Sequence, residues 1–203
     1  MTAISWLALR GATWLLISAL ACTWACSGRR APVQDAPAAP EVPVTLRVLP
    51  LSRVFVLETA GPPPPDTSVT FTTGTPRIIV LYHGGENVAF ARFTFEAAAF
   101  GDSGQAVQVE VHPRPGIYGL DFTTSLPLRA GQASLTFVYG RYFSAPARAR
   151  QQYGSDEAFE RALAVGRVLP ENQVELLPST RPAADNLPAA LPGPGVYIAA
   201  APQ

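Results

Sequence analysis

Apolar side chains recur at every second position over much of the chain from Val44 onward. That spacing puts successive side chains on opposite faces of a strand. Val44–Leu49 (VTLRVL) and Val54–Glu58 (VFVLE) begin the series, and Ser68–Thr73 (SVTFTT) sets Val69 and Phe71 to one side. Val88–Phe95 (VAFARFTF) does the same with Phe93 and Phe95, and Ala106–His112 (AVQVEVH) with Val107, Val109 and Val111. Ile117–Thr123 (IYGLDFT) and Ala133–Tyr139 (ASLTFVY) follow, and these last three segments suggest a meander. Arg77–Tyr82 (RIIVLY) is a continuous apolar run, which predicts a central strand buried on both faces or a sandwich-core strand. Turn-forming clusters fall between the runs: Gly61–Pro65 (GPPPP), His83–Asn87 (HGGEN), Phe100–Gly104 (FGDSG), Pro113–Gly116 (PRPG) and Pro170–Asn172 (PEN). Ser155–Glu160 (SDEAFE) is the one helical turn, with Ser155 as cap and Asp156 and Glu157 favourable in the first turn. Arg161–Val168 alternates loosely, and Val174–Leu177 returns along it as a hairpin. Asn186–Leu191 and Val196–Ala200 are short strands around Pro192–Gly195 (PGPG). Short strands with one-sided alternation and closely spaced turns predict an all-β fold. The expected class is an antiparallel immunoglobulin-like β-sandwich with one short helix, over residues 44–203, preceded by an N-terminal signal helix and a Pro-rich linker.

The first 26 residues follow a different pattern. Ala12–Ala25 (ATWLLISALACTWA) is apolar or small, with Arg10 before it and Arg29-Arg30 after it. It is shorter than the ~20 residues a membrane span needs, and it suits the apolar region of an export signal. Ala19-Leu20-Ala21 fits a signal-peptidase site. The small residues before Cys22 and Cys26 resemble a bacterial lipoprotein signal, in which the Cys becomes the lipidated N-terminus. Cys26 is the preferred attachment point and Cys22 the alternative. Ser27-Gly28 is a common mature start in that family, and cleavage at Cys22 would leave Cys26 as an unpaired thiol in an oxidising compartment. A plain secreted or periplasmic protein and an uncleaved anchor are the competing readings. Ser27–Pro43 (SGRRAPVQDAPAAPEVP) is a Pro/Ala-rich linker whose prolines oppose helix and favour extended, solvated chain. The expected organisation is therefore 1–26 signal, 27–43 linker and 44–203 folded domain.

Composition sharpens this picture. The chain has 203 residues, and its 15 basic residues are all Arg, against 15 acids. Removal of Arg10 with the leader leaves 14 Arg, a near-neutral domain with no basic face for nucleic acid. Both Cys and all three Trp (Trp6, Trp14, Trp24) lie in the first 26 residues. The domain is thus expected to hold together without disulfides, Cys-based metal sites or cofactors. Only His83 and His112 are available for imidazole chemistry.

Two sequences resemble catalytic motifs. Gly101-Asp102-Ser103-Gly104 matches four residues of the trypsin-like nucleophile signature, but Gln105 departs from it, and His83, only 20 residues upstream, lacks the family's surroundings. Ile78–Gly85 (IIVLYHGG) is similar to an esterase oxyanion loop, with Ser103 in the nucleophile's place. A nucleophile elbow must run from strand into helix, whereas Ala106–Val111 after Ser103 alternates as a strand. A small serine hydrolase using Ser103 is kept as an alternative function. So is a carrier holding an apolar ligand between its sheets. Arg141, Tyr142, Arg148 and Arg150 form a candidate interaction patch, because Arg and Tyr are enriched at protein interfaces. His112 ends a strand before Pro113, and Glu157 and Glu160 lack a second acidic pair for metal or glycosidase chemistry.

Three segments carry a further resemblance. Phe93–Phe100 (FTFEAAAF) stands where the β-sandwich modules of the netrin-receptor and ankyrin type have a strand entering a Pro-x-Gly-Ala-Leu-like turn, replaced here by Glu96-Ala97-Ala98-Ala99. Ala133–Tyr139 is similar to their LTFxY strand, and Arg167–Ser179 with Val196–Ala200 to their closing strands. The resemblance covers about residues 88–200 and implies a non-catalytic interaction or structural module. The expected function is an exported, lipid-anchored module of the cell envelope, held at a membrane by its N-terminus and open to an envelope protein partner.

Overall fold

The computed structural model describes residues 47–182 and 185–203, within a unit spanning Pro43–Gln203. The expected signal, the linker, Cys22 and Cys26 lie outside the described residues. In chain order the strands are β1 (Arg47–Pro50), β2 (Val54–Val56), β3 (Glu58–Thr59), β4 (Thr67–Thr72), β5 (Arg77–Tyr82), β6 (Ala89–Phe95), β7 (Ala106–Pro113), β8 (Gly119–Thr124), β9 (Ala133–Val138) and β10 (Phe143–Ser144). Two helices, α1 (Ala147–Tyr153) and α2 (Asp156–Ala162), precede β11 (Ala164–Leu169), β12 (Gln173–Leu176), β13 (Asn186–Ala190) and β14 (Gly195–Pro202). The fold is mostly antiparallel β-sheet with two short helices.

An eight-stranded sheet runs β1-β12-β11-β14-β8-β7-β4, with β2 also pairing along β14. A four-stranded sheet runs β13-β9-β6-β5, and β3 pairs with β10. The period-two pattern explains how the sheets meet. Val107, Val109 and Val111 of β7 are buried, as are Ala133, Leu135 and Phe137 of β9, while the residues between them are more exposed. Aromatic rings bridge the layers: Phe93 of β6 lies 4.9 Å from Phe122 of β8, and Phe90 stacks on Tyr118 at 5.2 Å. Phe71 of β4 meets Phe95 of β6 at 6.0 Å. Each fully buried ring among these contributes about 1.5–3 kcal/mol through removal from water, and the half-buried Phe71 less.

Three expectations need correction. First, β5 is an edge strand and not a central one: Arg77, Ile78 and Tyr82 are exposed, and only Ile79 and Leu81 enter the core. The strand buried on both faces is β14. Its Tyr197, Ala199 and Ala201 join the interlayer core, while Ile198 and Ala200 pack in a second cluster with Val54, Val174 and Leu176. Alanine side chains are small, so this strand does not look greasy in sequence although both its faces are covered. Second, Ala106–Tyr139 is not a meander. β7 and β8 form a hairpin, but β9 crosses to the other sheet and pairs with β6 and β13. Third, there are two helices where one was expected. α2 begins as predicted, with the Ser155 hydroxyl accepting from the Ala158 N–H at 3.1 Å and Phe159 buried beneath it. α1 has an Arg/Gln-rich sequence and no side-chain cap, but it starts after Pro146 and ends on Gly154 at φ 80°. A left-handed glycine of this kind commonly ends a helix.

Candidate functional site

Ser103 lies exposed in the turn between β6 and β7. The buried Thr73 holds that turn in place. Its hydroxyl donates to the Asp102 carbonyl at 2.6 Å and accepts the Gln105 N–H at 3.1 Å, and its carbonyl accepts the Gly104 N–H at 3.0 Å. A Cβ built on Gly74 would stand 2.4 Å from the Ser103 Cβ, so Gly74 makes this close approach possible. The chain then enters β7, a strand and not the helix that a nucleophile elbow requires. Neither histidine is near. Ser103 sits by Gly74 before the start of β5, whereas His83 follows its end, and six extended residues span about 20 Å. His112 lies toward the far end of β7, at a comparable remove.

His83 instead anchors a corner that local sequence did not reveal. It is 1% exposed, and its Nδ1 lies 2.8 Å from the Pro62 carbonyl oxygen. A carbonyl only accepts, so Nδ1 carries a proton, and Nε2 is buried without a hydrogen-bond partner. The imidazole packs edge-on against Tyr142 at 4.7 Å, Phe90 at 5.3 Å and Tyr118 at 6.2 Å. The Gly61–Pro65 segment crosses this corner as a strap. A Cβ on Gly61 would come within 2.5 Å of Tyr142 and 2.8 Å of His83 Nδ1, and one on Gly84 within 2.9 Å of the Pro63 carbonyl. The Tyr142 hydroxyl donates to the Glu86 carboxylate. Beside the strap an open groove of about 420 Å³ runs between Pro65 and Thr67 on one wall and Val80–Asn87 on the other.

The candidate patch is divided between two places. Arg141 and Tyr142 belong to the His83 corner, with the Arg141 guanidinium 5.8 Å from the Tyr142 ring centroid. Arg148 and Arg150 lie on α1, where Arg150 pairs with Asp156 at 2.7 Å and Arg148 is exposed. His112 is a surface residue paired with Asp66 at 3.0 Å. That hydrogen bond, with the Asp66, Glu110 and Asp121 charges adding to it and desolvation opposing it, raises its pKa above 6.5. Tyr118, Tyr139 and Tyr197 are pushed up to about 12, mainly by burial, which keeps them neutral donors. The Tyr139 hydroxyl donates to Glu160 at 2.9 Å and the Tyr197 hydroxyl to the Gly193 carbonyl.

Among the described residues no three His, Cys, Asp or Glu side chains come together as a metal site. Among them, too, no helix is long and apolar enough to cross a membrane. No protein-family model matches the chain, and no curated protein or solved structure shows significant similarity to it.

Proposed function

We propose that the chain is an exported, lipid-anchored protein whose domain is a two-layer β-sandwich of the immunoglobulin-like kind. It acts as a non-catalytic binding or structural module of the cell envelope. The observation that carries the non-catalytic part of this reading is the dispersal of Ser103, His83 and His112 over opposite strand ends. Acyl transfer by a serine needs its base within hydrogen-bond reach. Ring contacts across the layers argue in the same direction against an apolar-ligand carrier, because the Phe93–Phe122 and Phe90–Tyr118 pairs occupy the space between the sheets. The address rests on the leader alone, and the module class on the netrin-receptor and ankyrin-type resemblance over about residues 88–200.

The test is mass spectrometry of the mature N-terminus, together with turnover of ester and peptide probes by wild type and Ser103→Ala. The expected result is a diacylglyceryl group on Cys26, no tryptophan fluorescence in the mature protein, and no turnover by either form. Recovery from the cytosol with residues 1–26 attached would refute the address. Wild-type turnover that disappears in Ser103→Ala would refute the non-catalytic reading.

A further inference from the structure

A sheet edge presents unpaired N–H and C=O groups, and soluble proteins protect such edges with proline, charge, shortness or a covering segment. Among the described residues the two larger sheets end on five strands, and three are short or carry proline: β2, which pairs only with β14, has three residues. β13 carries Pro188, and Ser179 and Thr180 lie against it. β1 has only four residues and ends in Pro50. β4 has neither proline nor charge, but the exposed side chains on its outer face, Ser68, Thr70 and Thr72, are polar. β5 differs. Its sequence RIIVLY has no proline and a single charge, at Arg77, and its one irregularity against β6 is a register shift between Leu81 and Tyr82. Its outer face bears Ile78 at 58% exposure and Tyr82 at 45%, two of the three exposed large hydrophobic side chains among the described residues.

These residues are arranged symmetrically. Ile78 and Tyr82 lie two positions either side of Val80, on the same face of the strand. We propose that β5 is the interface of a two-fold dimer with a second copy of this chain, in which the two β5 strands pair antiparallel about Val80. Side chains directly opposite each other in an antiparallel pair share a face, so the register must keep that parity. Centring on Val80 does so. It puts Ile78 of each copy against Tyr82 of the other on the outside, and Ile79 against Leu81 on the core side. Aromatic–β-branched and aliphatic cross-strand pairs of this kind stabilise sheets. The same register brings Arg77 of each copy beside the turn of the other that carries the exposed Glu86, so opposite charges meet at both ends. An isologous contact closes on itself, which leaves no free β5 edge to propagate into a fibre.

Six residues a side is well under the 20–30 of a standard interface, so the dissociation constant is expected to be on the order of 10 µM. The test uses the full chain in mild detergent, with sedimentation velocity from about 1 to about 200 µM to bracket that affinity. Wild type should shift from monomer to dimer across this range. Ile78→Lys places a charge on an exposed edge position and should weaken association at least tenfold, with far-UV circular dichroism unchanged and the same melting temperature as wild type at about 1 µM, where both are monomeric. Val80→Cys should form an intermolecular disulfide on mild oxidation, because the two-fold axis puts the residue opposite itself at about 5 Å between Cα atoms. Ile78→Cys should not, since its own mate lies four residues away along the ladder, about 13 Å. Cys22 and Cys26 are common to both variants. If Val80→Cys does not fold, charge reversal replaces it: Arg77→Glu should weaken the dimer, and Arg77→Glu with Glu86→Arg should restore it. A chain that stays monomeric throughout overturns the proposal. So does a dimer indifferent to Ile78→Lys, or cross-linking of Ile78→Cys as fast as Val80→Cys.

Discussion

Phe122 is fully buried in β8 and touches the opposite layer twice, at 4.9 Å from Phe93 and 6.1 Å from Phe95 between ring centroids. Phe122→Ala removes that ring from a position where neither sheet can move in to fill the gap without sliding its whole strand ladder. The cost is the lost transfer energy plus a cavity, about 3–5 kcal/mol for a fully buried phenylalanine. Domains of this size are stable by only about 5–15 kcal/mol, so the substitution takes a large share of the total. Phe122→Leu keeps most of the volume and should cost less than half as much, about 1–2 kcal/mol. The pairwise part is separable: a cycle of Phe93→Ala and Phe122→Ala should return a coupling of about 0.5–1.5 kcal/mol. Urea unfolding followed by far-UV circular dichroism measures all four species, and tyrosine emission gives a second probe of the transition. The midpoint should fall with little change in slope, because the surface exposed on unfolding is nearly the same. A loss under about 1 kcal/mol for Phe122→Ala, or no coupling to Phe93, would show that the rings do not join the two sheets, and the layer arrangement would be wrong.

Gly61→Ala should push the strap off the corner, since its Cβ would overlap Tyr142 and His83; a loss of about 1–3 kcal/mol with a displaced His83 proton resonance is expected, and a neutral effect would show that the strap does not pack there. Ser155→Ala removes the hydroxyl that accepts the Ala158 N–H and should cost about 0.5–2 kcal/mol, read from the same urea curves; no change would mean that the cap is not formed. His112 titrates above 6.5 because of Asp66, so the pair contributes stability that is fully present below 6.5 and fades as pH rises through the higher folded value. NMR titration should show the His112 midpoint fall in Asp66→Asn, and an unmoved midpoint would mean that the pair is absent in solution.

Strand placement was legible in the sequence because alternation is a local property. Val107, Val109 and Val111 announce their face wherever β7 happens to lie, and the same holds for Leu135 and Phe137. The layer a strand joins is not local. Pro192–Gly195 looks like any tight turn, yet it carries the chain from β13 in the small sheet to β14 in the large one. β5 and β14 show how composition misleads. An apolar run of large residues suggested a central strand or a sandwich-core strand and belongs to an edge with Ile79 and Leu81 in the core, while a strand ending in three alanines and a proline sits at the heart of the large sheet. Position in a sheet is set by which neighbours pair, and for β14 these come from residues 54–56, 119–122 and 164–168.

The candidate site was obscured for the same reason, more severely. Arg141, Tyr142, Arg148 and Arg150 were grouped by closeness in sequence, but 3.6-residue turns and a 3-10 turn at Gly140–Tyr142 send them to different neighbours. Tyr142 meets Glu86 across 56 residues, and His83 meets Pro62 across 21. Each partner alone is an ordinary turn or loop residue, and only the fold makes them a corner. One signal was present from the start, in the glycines. Gly61 precedes four prolines and Gly84 follows the histidine, and both are positions where a side chain would collide with the opposite segment. Glycine beside proline reads first as a turn. Here it also marks a place where two segments touch backbone to ring, a constraint that neither segment expresses by itself.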